Sequence, residues 1–134
     1  MSRTLALPLI HRFATDEYSA ALLLDNNMTK ISILYPNQKD ARFDVRYYID
    51  THMPLSLARL SGSPGFKGVS VERGLAGPEP GTDAPYIMMC HFLFDSVESF
   101  LAAFMPHAAT LQGDMPNYTD IRPVIQFSEV LLSR

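Results

Sequence analysis

The chain holds one cysteine, no tryptophan and no strong excess of either charge. A single thiol cannot close an internal disulfide. Packing alone must hold the fold, which fits a reducing compartment and is read as cytoplasmic. Eleven Lys and Arg stand against fourteen Asp and Glu, a net charge of -3, so there is no basic footprint for nucleic acid. Nor is there a Lys/Arg cluster to meet anionic lipid. No apolar run approaches the roughly 20 residues that span a bilayer. After Arg3, the segment Leu5-Ala6-Leu7-Pro8-Leu9-Ile10 is short for a signal sequence, and His11 and Arg12 end it. No two histidines have the i, i+2 or i, i+4 spacing of common metal sites, and no carboxylate cluster lies beside them. The expectation is no metal and no cofactor.

What is present suits one globular domain. The chain has 134 residues, 47% of them hydrophobic, enough to bury a core. Residues 1–28 differ from the rest and read as an N-terminal extension to a domain at 29–134. A weak helical run, Glu17 to Leu24, precedes the turn-like Asp25-Asn26-Asn27, and Met28 stands directly before the first strand pattern. The extension is non-essential, or follows from a start codon placed too early, or is an arm that docks on a partner subunit through Leu22, Leu23 and Leu24.

From Lys30 the pattern is regular. Lys30 to Tyr35 alternates and is rich in Ile, which predicts a strand closed by Pro36-Asn37. Asp44 is a good N-cap, with Phe43 before it as a hydrophobic staple. Val45, Tyr48, Ile49, His52, Met53, Ser56, Leu57 and Leu60 then recur at helical spacing. Ser61 to Gly65 ends that helix. Phe66 to Leu75 reads as a strand, and the Gly- and Pro-rich stretch 76–84 as a long loop. Pro85 to Phe94 reads as a third strand, apolar on both faces. Asp95-Ser96-Val97-Glu98 reads as a capping box in its Asp form. The helix it opens carries Val97, Phe100, Leu101, Phe104, Ala108 and Leu111 on one stripe, with a kink or end at Pro106. Gly113 to Asp120 is a loop, and Ile121 to Leu132 the last strand.

Strand, helix, strand, strand, helix, strand is the βαββαβ order of a ferredoxin-like α+β fold: a four-stranded antiparallel sheet with two helices on one face. Two helices leave the other face bare. Strand three is apolar there as well, with Tyr86, Met88, Cys90, Phe92 and Phe94 on one side and Ile87, Met89, His91 and Leu93 on the other. A patch of that size needs cover. The expectation is a homodimer, sheet face against sheet face.

The segment richest in chemistry is Phe43-Asp44-Val45-Arg46-Tyr47-Tyr48-Ile49-Asp50-Thr51-His52-Met53-Pro54. It sets an imidazole on the apolar stripe, one turn after a tyrosine and just before a proline that cannot donate to the carbonyl of Asp50. With Lys30 to Pro36, Lys67-Gly68-Val69, Arg73-Gly74 and Asn117-Tyr118-Thr119-Asp120-Ile121, it resembles the EthD family over roughly residues 29–132. That family is named for ethyl tert-butyl ether degradation and belongs to the dimeric α/β barrel group. The resemblance implies a ferredoxin-like dimer with a small-molecule pocket. It does not imply one reaction, because relatives act as lactone isomerases, cyclases and decarboxylases.

An ordinary imidazole titrates near neutrality and can serve as acid or base, so His52 is the first candidate catalytic group and Tyr48 its neighbour. His91 is expected on the helix-facing side of the sheet, sharing one cavity with His52. Asn117 and Tyr118 are expected at the pocket rim, orienting a ligand carbonyl. Cys90 and His91 point to opposite faces and cannot form a nucleophilic dyad, so Cys90 reads as a small buried hydrophobe. His107 favours the dipole of the second helix or joins a site. Two functions stay open. One is an enzyme of isomerase, cyclase or lyase type that moves a proton on a small apolar carbonyl or lactone compound. The other is a binding or accessory protein that carries a hydrophobic intermediate or assists a pathway oxygenase.

Overall fold

Alternating Ile, Phe and Met residues build the sheet in the computed structural model, which describes residues 28–134. The helical run from Glu17 and the leucine arm lie outside these residues. Strands β1 (Thr29–Pro36), β2 (Phe66–Arg73), β3 (Tyr86–Phe94) and β4 (Val124–Glu129) form one antiparallel sheet in the order β2-β3-β1-β4. With β1 and β3 at its centre and helical segments on one face, this is the ferredoxin-like arrangement. No helix among the described residues is long and apolar enough to cross a membrane.

The two edge strands, β4 and β2, are shorter at their ends than alternation predicts. β4 starts at Val124, because Pro123 has no N–H for the ladder and the Ile121 amide donates instead to Thr119 Oγ1 at 3.0 Å. β2 stops at Arg73 and leaves Leu75 93% exposed.

The first helical segment is not one helix. α1 (Val45–Tyr47) is capped by Asp44, whose side chain accepts from the Tyr47 amide. A π turn (Tyr48–His52) follows, and then α2 (Met53–Leu60). The Met53 amide bonds back to the Tyr48 carbonyl, five residues away. The departure expected from Pro54 is thus taken up one turn upstream, and Pro54 sits in the first turn of α2, where a missing N–H costs little. Such single π turns often mark functional sites.

The second helical segment bends where Pro106 predicts. α3 (Val97–Phe104) passes through a 3₁₀ turn (Met105–His107) into α4 (Ala108–Gly113). Its start differs from the expected capping box. The cap is Ser96, extended at φ -164 and ψ 166, whose hydroxyl accepts from the Ser99 amide. Asp95 is held outside the helix by its amide, which donates to the Gly65 carbonyl at 2.9 Å. Gly65 is required there, since a Cβ would come within 2.5 Å of the Ser99 Cβ. Ser96→Ala is expected to cost about 1 kcal/mol, read as a lower urea midpoint at unchanged slope.

The core lies between the helical layer and one sheet face. Ile31 and Tyr35 of β1 and Met88, Cys90, Phe92 and Phe94 of β3 are buried against the helices. Ile87, Met89, His91 and Leu93 are therefore on the other face.

Candidate active site

Two segments far apart in sequence meet at one end of this core. The π turn carries Tyr48 and His52, both buried, with their rings stacked at 5.5 Å and an interplanar angle of 13°. The chain after α4 carries Asp114 and Tyr118. Asp114 Oδ2 lies 2.9 Å from His52 Nδ1. A carboxylate only accepts, so Nδ1 carries the proton and Nε2 is left as a lone pair. Tyr118 Oη is 3.5 Å from that Nε2, a long contact, and 2.8 Å from Tyr35 Oη. The result is a line of polar groups, Asp114, His52, Tyr118 and Tyr35, with its basic nitrogen only loosely engaged.

Asp114 is itself fully dressed. The Tyr47 hydroxyl donates to its Oδ1 at 2.7 Å and the Asn117 amide at 3.0 Å. Burial pushes the Asp114 carboxyl up, but these donors together with His52 outweigh it and hold the group below its ordinary value. Burial lowers the pKa of His52, and Asp114 opposes this without cancelling it. The imidazole is therefore neutral at neutral pH. Burial raises the phenols of Tyr35, Tyr48 and Tyr118, so all three stay protonated and act as donors. It also pushes the Cys90 thiol up to about 12, which leaves no thiolate nucleophile.

Tyr35, Tyr48, His52, Cys90 and Tyr118 line a cavity of about 60 Å³ between helices and sheet. The rest of its lining is mostly apolar, including Ile31, Phe92, Phe100 and Phe104. Such a space exceeds what one water molecule needs, and apolar walls with a few converging polar groups suit a small ligand.

The structure brings Tyr48, His52 and Tyr118 to this cavity. It places Asn117 outside, exposed, as a donor to Asp114. It places His91 on the opposite sheet face, where Nδ1 lies 2.7 Å from Ser32 Oγ and Nε2 3.5 Å from Glu72 Oε1. The shared cavity expected for the two histidines is thus corrected. Cys90 and Phe92 flank His91 in β3 and point to the helices, so alternation turns His91 away. His107 is partly exposed in the 3₁₀ turn and does not line the cavity. Sequence reasoning missed Asp114, Tyr47 and Tyr35. An aspartate just past a helix C-terminus, where the dipole disfavours negative charge, was the available sign for Asp114.

The comparisons bear on the family and the fold. Residues 36–122 match the EthD domain model. An EthD-like protein from Ralstonia eutropha is 44% identical, with a TM-score of 0.77 over 82% of this chain and 97% of that one. An ethyl tert-butyl ether degradation (EthD) family protein from Bacillus halodurans is 23% identical, with a TM-score of 0.56 over 78% of this chain and 99% of that one. The hydroxynitrile lyase of Passiflora edulis shares the fold at 14% identity, with a TM-score of 0.57 over 82% of this chain and 99% of that one. No curated protein matches. With most of its length inside the family's domain and a relative at this identity, the chain belongs to the EthD family.

Proposed function

We propose that the protein is an enzyme that moves a proton on a small, apolar carbonyl or lactone compound, by isomerase, cyclase or lyase chemistry. The observation that carries this reading is the loosely engaged Nε2 of a neutral His52, a residue held by Asp114 on the wall of an apolar cavity. The substrate C–H adjacent to a carbonyl gives its proton to Nε2. The C–H electron pair moves into the enolate, whose oxygen takes a hydrogen bond from the Tyr118 hydroxyl, which in turn accepts from Tyr35. Return of the proton to a different carbon, ring closure or loss of a leaving group would complete an isomerase, cyclase or lyase cycle. Fixed donors in a dry site stabilise such a charge without reorganising.

The test is exchange with solvent. A ketone held in the cavity should trade its adjacent hydrogens for deuterium from heavy water, and should stay unlabelled with the His52→Ala variant. A ligand that binds at His52 yet never exchanges would favour the second function, a carrier of a hydrophobic intermediate.

The open sheet face completes the proposal. Leu34, Ile87, Met89, Leu93 and Val124 surround the polar group of Ser32, His91 and Glu72 there. A second copy of the chain is the cover that suits this face, in a two-fold pairing. Leu34 stands between Met89 and Val124 at the middle of the patch. Leu34→Lys is expected to shift sedimentation from dimer to monomer, since pairing would bury an unpaired charge in the apolar face. An unchanged dimer would show that the contact lies elsewhere.

A further inference from the structure

Two polar side chains that line the cavity have no task in the chemistry above. Ser56 lies four residues after His52 on the same helical face and is 3% exposed. Gln112, on α4, is half-buried. Both line the cavity. Neither side chain has a hydrogen-bond partner among the described residues. A serine hydroxyl in a helix commonly bonds the carbonyl four residues back, as Ser61 does to Leu57 at 2.6 Å. Ser56 does not, so its hydroxyl is left to the cavity.

We infer that Ser56 and Gln112 form a second polar subsite, which holds a hydroxyl or carbonyl oxygen of a neutral substrate whose reacting carbonyl sits at His52 and Tyr118. This rests on the function proposed above and names the substrate class. Four residues of helix rise place the two oxygens roughly 6 Å apart. Leaving the buried Ser56 hydroxyl unpaired disfavours a substrate without the second oxygen. The same lining excludes a carboxylate at that end. No lysine or arginine lines the cavity, and an unpaired carboxylate among phenylalanines is costly to bury. The substrate class is a neutral compound with two oxygen functions on a short apolar frame.

Three probes on one ring test this with the full chain: cyclohexanone, the cyclohexanedione with its carbonyls on opposite carbons, and cyclohexanone with a carboxylate opposite its carbonyl. Affinities are read by ligand-detected NMR, and occupancy of the catalytic end by the shift of the His52 ring signals. The dione should bind about 10-fold tighter than cyclohexanone, the scale of one or two added hydrogen bonds. The carboxylate compound should bind more weakly than both. Ser56→Ala and Gln112→Leu should each bring the dione and cyclohexanone close to equal affinity. Equal affinities in the native protein, or a preference that survives both substitutions, would overturn the subsite. So would a carboxylate compound that binds as tightly as the dione. If cyclohexanone moves the His52 signals while the dione gains nothing, the subsite falls and the proposed function stands. If no probe moves them, both fall.

Discussion

Replacing His52 by alanine is expected to lower proton exchange about 10²- to 10⁴-fold, the usual contribution of a placed general base. The fold should survive. The ring sits on the cavity wall, not inside the packed centre, so its removal enlarges a space that already exists. Asp114 keeps its donors from Tyr47 and Asn117, so no carboxylate is left bare. Circular dichroism and a thermal melt check the fold, and deuterium uptake checks the chemistry. Exchange at the native rate in a folded His52→Ala protein would remove the proposed mechanism.

The pH dependence of the native enzyme follows from the same group. Burial lowers the pKa of His52 below its ordinary value of 6.5, and Asp114 only partly opposes this. Exchange should be flat from neutral pH upward, where Nε2 is free, and fall as acid protonates it below that value. Stability carries the same sign. Below about pH 6.5 the unfolded chain takes a proton at His52 before the folded one does, so stability is lost as the solution is made more acid through this range. Asp114, also lowered in the folded state, adds a further loss as the pH drops below about 4.

Asp114→Asn is the second large effect, expected to cost roughly 10²-fold or more in exchange, as for other histidine–carboxylate pairs. Asp114 touches no substrate. It acts through His52, by fixing the proton on Nδ1 and the ring in place. An amide can present oxygen or nitrogen to Nδ1, so the tautomer is no longer dictated. Because Asp114 raises the pKa of His52, its loss should also move the acidic limb of the profile to lower pH. The fall on the alkaline plateau together with that shift marks a positioning role, which a merely loosened fold would not produce. Asp114→Glu should recover part of the rate. An Asp114→Asn enzyme with a native plateau and an unmoved limb would show that the carboxylate does not position the base.

Much of the fold is legible in the sequence. Periods of two and of 3.6 residues marked strands and helices, and their order allowed few topologies. Asp44 and Pro106 acted where their chemistry predicts. The helix start at Ser96 was misplaced by one residue, because Asp95 and Ser96 can both cap, and only the close approach of Gly65 takes Asp95 away. Half of the site was legible too. Tyr48 and His52 are four residues apart, and local spacing carries that information.

The sequence alone settled the element order, the stacked Tyr48–His52 pair and the opposition of Cys90 to His91, since all of these depend on neighbours within a turn or a pleat. Tertiary structure decided which face of β3 meets the helices, because alternation is unchanged when the two faces are exchanged. It also decided that Asp114, 62 residues from His52, would hold the imidazole. Contacts between distant segments follow from how layers pack, and no short-range period encodes them.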